Sequence, residues 1–200
     1  MTPQSSPKSK ISPALVLMLL LPSLGLLVAV AMLLAENTSS APAAPDSEIS
    51  SRSSAPLLGQ VAEDFTVRTL DNDTLRLSDF SGRVVFLNFW ATWCPPCVRE
   101  LPALQEFARQ QGDQGAVVLA SNNYETLEEI TAYLDENAIA LPDVPVLLDE
   151  DSRIYRGFGV FQLPTTYIIG PDGVVSQVRY GELTVEEMYG YLENFETGDG

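Results

Sequence analysis

The stretch VVFLNFWATWCPPC, residues 84–97, holds both cysteines of this 200-residue chain. Its first half is apolar apart from one asparagine and does not alternate with polar residues, as in a central strand buried on both faces. A helix-like pattern follows Cys97. Two thiols separated by two residues close a disulfide only in a tight, helix-initiating turn, where helix-terminal N–H groups stabilise the thiolate of Cys94. The stretch therefore predicts thiol–disulfide exchange.

Other interpretations of the cysteine pair have less support. A structural zinc site needs about four Cys or His ligands, and the chain has two Cys and no His. Covalent c-type haem attachment requires His after the second Cys, where this chain has Val98. A purely structural disulfide across so short a loop stabilises weakly. Two unrelated core cysteines stay open as an alternative, although the flanking strand and helix pattern favours redox chemistry.

The charge of the chain is strongly and unevenly negative. The formal net charge is −16, both lysines precede residue 11, and the part from Glu36 onward carries 9 Arg against 27 acids. Such an acidic body repels nucleic acid and anionic lipid surfaces. We therefore expect no nucleic-acid partner and interpret the acidity as a solvated surface.

The N-terminal part has the pattern of a membrane signal-anchor. Residues 11–35 are uncharged and apolar, and at about 1.5 Å per residue they span about 37 Å as a helix, enough to cross a bilayer with some tilt. Lys8 and Lys10 precede the stretch and Glu36 follows it, which predicts a cytoplasmic N-terminus at 1–10 and an exported remainder. A cleaved signal peptide is the alternative. The length of the apolar run favours an uncleaved transmembrane helix.

The remainder divides into a linker, one domain and a tail. Residues 36–56 are rich in Ser, Ala and Pro, which predicts a flexible linker; the domain spans 57–195, and 196–200 form a polar tail. Hydrophobic patterning and turn signals predict a hairpin of strands at 65–70 and 74–77, further strands at 84–90, 116–121, 145–148, 166–169 and 174–179, and helices at 97–111, 126–137, 152–158 and 184–195. This order predicts an α/β three-layer sandwich with a mixed central sheet.

Three blocks carry a resemblance to a known family. The block FLNFWATWCPPC at 86–97 resembles the thioredoxin superfamily, and more narrowly the membrane-anchored TlpA/ResA group, which includes the CcmG-type reductants of cytochrome c maturation. The lead-in LRLSDFSG at 75–82 and the segment LPTTY at 163–167 are similar to the same group. The resemblance covers about 59–194. It implies a thioredoxin-like fold, thiol–disulfide oxidoreductase activity, no metal, and no cofactor beyond a redox-active disulfide.

The resemblance also implies roles for the residues of the motif. Cys94 is expected to be the attacking thiol, exposed at the start of the helix, and the Cys97 thiol to resolve the mixed disulfide. Pro95 and Pro96 lack N–H groups, stiffen the turn and tune the redox potential. Trp93 is expected to flank the sulfur of Cys94.

The resemblance places a cis-proline segment beside the cysteines. Pro164 is expected to follow a cis peptide bond, so that Leu163 presents free backbone groups to a substrate strand. Phe89 and Trp90 are expected to be core residues.

The expected proton acceptor for the resolving thiol is not evident. The position of the buried Asp of thioredoxins is occupied by Asn88, and Arg68 stands on the preceding hairpin where the ResA-like group is expected to carry a Glu. Glu63, Asp64 and Glu100 are candidates, each expected on the solvated surface. If Arg68 reached the sulfurs, it would lower a thiol pKa.

These features predict a reductase tethered to a bacterial cytoplasmic membrane, with its catalytic domain on the extracytoplasmic side. Its expected partners are protein disulfide clients, among them apocytochrome c, and a membrane thiol electron donor. A disulfide oxidase or isomerase is an alternative, as is a tethered binding module with an inert disulfide. A thiol peroxidase is a weaker alternative, because that chemistry uses Thr-x-x-Cys and Thr92 stands two residues before Cys94.

Overall fold

The computed structural model describes residues 57–197. The predicted cytoplasmic segment at 1–10, the transmembrane helix at 11–35 and the linker at 36–56 lie outside the described residues. Within 57–197, no helix combines the length and the apolar character that crossing a bilayer requires.

Within residues 57–197, seven strands form two sheets. They are β1 (Thr66–Arg68), β2 (Thr74–Arg76), β3 (Val85–Trp90), β4 (Val117–Asn123), β5 (Val146–Asp149), β6 (Thr165–Ile169) and β7 (Val175–Tyr180). β1 and β2 form an antiparallel hairpin, as predicted, and the other five follow the order β5-β4-β3-β6-β7. β3 pairs in parallel with β4 and antiparallel with β6. The predicted mixed sheet is confirmed, with the apolar stretch before the cysteines at its centre.

In the described part of the chain, four α-helices connect and cover these strands: α1 (Pro95–Gln111), α2 (Leu127–Glu136), α3 (Arg153–Gly157) and α4 (Val185–Thr197). α1 begins two residues before the predicted start, because prolines fit the first helical turn, whose N–H groups have no partner within the helix. α2 has the predicted capping box, in which Thr126 and Glu129 exchange hydrogen bonds. α4 continues two residues past the predicted end at 195.

Two apolar cores lie on opposite faces of the central sheet. Successive side chains of β3 point to opposite faces, so that Phe86 and Trp90 join the core beneath α1, α2 and α4, while Leu87 and Phe89 join the core on the other face. Helices therefore cover both sheet faces and give the predicted three-layer thioredoxin-like sandwich. Asn88 lies between Phe86 and Trp90 in this alternation and shares their face, towards α1.

The topology brings several chain segments together at one edge of the central sheet. β3 and β4 are parallel and end at this edge, whereas β6 begins there and β7 ends there, because β6 is antiparallel to both β3 and β7. The segments that follow β3, β4 and β7 therefore meet the segment that precedes β6. The two cysteines lie at this edge, Cys94 at the end of the connection from β3 to α1 and Cys97 in the first turn of α1.

Candidate active site

The two cysteines form a disulfide at the start of α1. Cys94 and Cys97 are bonded, with their Cα atoms 5.3 Å apart. Cys94 is the N-cap of α1, and its Sγ accepts a hydrogen bond from the Cys97 N–H at 3.4 Å. The expectation of an exposed Cys94 is wrong for this oxidised state, since Cys94 is 5% exposed and Cys97 is 0% exposed. Cys94 is still the more accessible of the two residues, because Cys97 lies further into the helix.

The turn that carries Cys94 is held by a carboxylate from beyond the next strand. The Ala91 carbonyl accepts a hydrogen bond from the Cys94 N–H at 3.2 Å. Glu125 accepts hydrogen bonds from the Thr92 N–H at 2.8 Å and from the Thr92 hydroxyl, and a third from the Asn122 side-chain amide at 2.8 Å. One carboxylate thus fixes the residue two positions before Cys94. Sequence reasoning missed Glu125, although its place two residues after β4, the parallel neighbour of β3, is a usable signal.

The segment before β6 has the predicted cis peptide bond, between Leu163 and Pro164. The Pro164 carbonyl accepts a hydrogen bond from the Gly181 N–H at 2.9 Å. Leu163 is half-buried, and within residues 57–197 its backbone N–H and C=O have no hydrogen-bond partner. These two groups are therefore unpaired among the described residues.

Glu100 is buried, and the expectation that it lies on the solvated surface is wrong. It is 2% exposed, because its position three residues after Cys97 places it on the inner face of α1 beside Leu101 and Leu104. Its Oε1 accepts a hydrogen bond from the Asn88 amide at 2.7 Å, and its Oε2 accepts one from the Leu183 N–H at 2.9 Å.

Burial raises the pKa of Glu100 to about 7, and the hydrogen bonds from Leu183 and Asn88 oppose that rise. The Asn88 amide also donates to the Thr166 hydroxyl at 3.0 Å. Asn88 therefore joins β6 to the carboxyl group of α1. A carboxyl group that changes protonation near neutral pH, one helical turn from Cys97, is suited to accept a proton from that thiol.

The other candidate charges lie away from the buried cluster. Glu63 and Asp64 are exposed, as predicted, and Asp64 accepts hydrogen bonds from the backbone N–H and the hydroxyl of Ser78, both at 3.0 Å. Arg68 is exposed on β1 and pairs with Glu150 at 3.8 Å. This pairing gives no support to a direct effect of Arg68 on the thiols.

Three exposed aromatic side chains lie in the segments that meet at the sheet edge of the disulfide. Trp93 is 65% exposed, and Tyr124 and Phe161 are each 64% exposed. We call these three residues the aromatic rim. The ring of Phe161 packs against Tyr180, with 5.2 Å between the ring centroids. Phe89 and Trp90, in contrast, are buried in the core, as predicted.

Comparisons with known proteins agree with this geometry. The AhpC/TSA family matches residues 58–178. The thiol-disulfide oxidoreductase ResA of Geobacillus thermodenitrificans is 34% identical over 140 residues, which are 70% of this chain and 79% of that protein.

Two solved structures are also similar to this chain in fold and sequence. A putative thiol:disulfide interchange protein DsbE from Chlorobium tepidum is 26% identical with a TM-score of 0.60, covering 70% of this chain and 96% of that one. The pneumococcal exposed lipoprotein thioredoxin of Streptococcus pneumoniae is 29% identical with a TM-score of 0.59, covering 66% and 99%.

Proposed function

The chain belongs to the AhpC/TSA family and is a thiol–disulfide oxidoreductase, and we propose that it is a membrane-tethered reductant of protein disulfides outside the cytoplasm. One observation carries the proposed exchange mechanism. The buried carboxyl group of Glu100 lies one helical turn from Cys97, where it can assist the step that releases a reduced client.

The first step is attack on the client. The Cys94 thiolate, stabilised by N–H groups at the start of α1, attacks one sulfur of the client disulfide. A bond forms between Cys94 and that sulfur, the client S–S bond breaks, and the second client sulfur leaves as a thiolate that takes a proton from water. The free backbone groups of Leu163 hold the client segment as an added strand.

The second step releases the client. The Cys97 thiol gives its proton to the Glu100 carboxylate, and the resulting thiolate attacks the sulfur of Cys94. The bond between Cys94 and Cys97 forms, the mixed disulfide breaks, and the client sulfur leaves and is protonated. Two electrons have passed from the dithiol to the client, so a membrane thiol donor must reduce the Cys94–Cys97 disulfide before the next cycle.

Reduction of insulin tests this activity. The full-length chain with a thiol donor is expected to reduce insulin, whereas the Cys94→Ser and Cys97→Ser variants are expected to be inactive. A reduction potential near about −270 mV favours a reductant, and one near about −120 mV would instead favour the alternative, a disulfide oxidase.

The clients and the tether are the finer parts of the proposal. Cys97→Ser should retain clients as mixed disulfides on Cys94, and apocytochrome c among the captured proteins would support a role in cytochrome c maturation. The apolar stretch at 11–35 and the similarity to an exposed lipoprotein support membrane attachment. Amino-terminal sequencing of the membrane fraction tests it, since a start near Glu36 would contradict an uncleaved anchor.

A further inference from the structure

Glu125 carries a negative charge that no cation in the described part of the chain neutralises. It is half-buried, and three neutral donors bind it: the N–H and the hydroxyl of Thr92 and the side-chain amide of Asn122. An ionised carboxylate only accepts hydrogen bonds, so three donors match that form. Residues 110–152 contain no Lys or Arg, and the salt bridges within residues 57–197 do not include Glu125.

This carboxylate is attached to the turn that ends at Cys94. The hydrogen bond from the Cys94 N–H to the Ala91 carbonyl closes the turn, and its two central residues are Thr92 and Trp93, the latter from the aromatic rim. The Cα atoms of Thr92 and Cys94 are at most about 7.6 Å apart, because each step along the chain is about 3.8 Å. Glu125 binds the Thr92 N–H at 2.8 Å, so its charge lies on the order of 8 Å from the Cys94 sulfur.

Contacts on both sides of Glu125 hold it in place. The Asn122 side chain, which is 0% exposed, binds the carboxylate from the end of β4. Tyr124 has a left-handed φ of +72°, which large side chains rarely adopt, and its N–H donates to the Asp149 carbonyl at 3.3 Å. Such backbone conformations persist only where the surrounding structure holds them, and they cluster at functional sites. The charge is therefore fixed beside the turn.

The start of α1 and Glu125 act on the Cys94 thiolate with opposite sign. N–H groups at the helix start, among them that of Cys97, favour the thiolate, whereas a nearby carboxylate disfavours it. Arg99 on α1 is paired with Glu182, so its charge is already balanced. A dithiol whose reduced form is stabilised is a strong oxidant. A charge that destabilises the Cys94 thiolate therefore favours a reductant.

We propose that Glu125 sets the redox potential of the cysteine pair, its charge making the dithiol more reducing. The inference rests on the proposed function and names the residue that biases it towards reduction. In the equilibrium with glutathione, two glutathione thiols pass two electrons and two protons to the Cys94–Cys97 disulfide, which gives the dithiol and one glutathione disulfide. When the Cys94 thiol then loses its proton to solvent, the thiolate is repelled by Glu125.

The equilibrium constant of this reaction, measured at pH 9 on the full-length chain, reports the bias. At that pH a thiol at a helix start is largely ionised. Two unit charges about 8 Å apart change an equilibrium by about 2- to 30-fold, for effective dielectric constants between about 80 and 20. Glu125→Gln keeps the size of the side chain without its charge and should raise the constant for reduction about 3- to 10-fold. A tenfold rise makes the potential about 30 mV less negative.

Glu128→Gln is the matched control for net charge. Glu128 is exposed in the first turn of α2, so this variant removes the same charge from the surface of the chain. Its equilibrium constant should stay close to the wild-type value, because water screens exposed charges.

Alkylation of the reduced chain separates the charge of Glu125 from its contacts. Iodoacetamide is neutral and iodoacetate is negative, and the two are similar in size, so a loosened turn changes both rates alike. Cys97 is 0% exposed, and the reaction therefore reports on Cys94. In Glu125→Gln the rate with iodoacetate should rise at least about 2-fold relative to the rate with iodoacetamide.

An unchanged value of either quantity in Glu125→Gln, the equilibrium constant or the ratio of the alkylation rates, would overturn the inference. So would an equal rise of the equilibrium constant in Glu125→Gln and Glu128→Gln, since the effect would then come from net charge. Neither measurement uses a client. If the wild type does not reduce insulin, the proposed function fails, while these two measurements still decide the role of Glu125.

Discussion

Replacing Glu100 with glutamine should remove a pH dependence of stability that the buried carboxyl group creates. The pKa of Glu100 is raised to about 7 from an ordinary value of 4.5, mainly by burial. Between these pH values the folded chain keeps a proton that the unfolded chain has lost, so the free energy of unfolding falls as pH rises. The contribution is fully present below pH 4.5 and is lost as pH rises through 7. At about 1.4 kcal/mol per pH unit, the loss is about 3 kcal/mol.

Glutamine suits the site, because it is neutral throughout and can still accept the hydrogen bond from Leu183. After a flip of the Asn88 amide, the glutamine N–H can donate to the Asn88 Oδ1, which is buried without a partner in the described part of the chain. Urea unfolding of the oxidised full-length chain between pH 5 and pH 8 measures the effect. The wild type should lose about 2–3 kcal/mol as pH rises through this range, and Glu100→Gln much less.

Glu106→Gln is the matched control on the same helix. Hydrogen bonds from Arg109 and Gln110 lower the pKa of Glu106 to about 2, so this variant should keep the wild-type slope between pH 5 and pH 8. Parallel curves for the wild type and Glu100→Gln would refute the reasoning.

Three further predictions concern the contacts around the disulfide. Asn88→Ala removes a hydrogen bond that lowers the pKa of Glu100, so that NMR titration of the Glu100 carboxyl group should show a higher pKa; a lower one would contradict the assignment. Glu125→Gln leaves a donor of Thr92 without its carboxylate acceptor, so the free energy of unfolding should fall by about 1–3 kcal/mol. Hydrogen exchange of the Thr92 amide should become faster, and unchanged exchange would contradict the conclusion that Glu125 holds this turn. Thr126→Ala removes the cap of α2 and should cost about 1 kcal/mol in urea unfolding, with unchanged insulin reduction; a loss of activity would show that the cap also supports the site.

The sequence predicted those parts of the fold that depend on local pattern. The apolar stretch of β3 and the turn residues around the cysteines lie within 84–97, so their structure depends little on distant contacts. The cap of α2 is equally local, because Thr126 and Glu129 are three residues apart. Several helix and strand ends differ by one or two residues from the predicted ends, because the terminal residues of an element have few hydrogen bonds to fix where it stops.

Contacts between distant segments could not be predicted in the same way. Glu125 binds Thr92, 33 residues away, and this pair forms only because β3 and β4 are adjacent and in parallel register. Glu100 is a second case. Its helical position indicated the buried face, but a glutamate is seldom fully buried without partners, and its partner at Leu183 is 83 residues away.

The acid expected on β3 is absent, but Glu100 on α1 brings a carboxyl group close to the same place in the fold. The resemblance to thioredoxins places Asn88 where those proteins carry a buried Asp, and the Asn88 amide nitrogen lies 2.7 Å from the Glu100 carboxyl group. A carboxylate supplied by α1 thus lies within one hydrogen bond of the side chain on β3. Two carboxylates at this distance could not both ionise without strong repulsion, so an amide on the strand is the compatible partner for an acid on the helix. The sequence of β3 alone therefore lacks the acid, whereas the folded chain has Glu100 buried between β3 and α1.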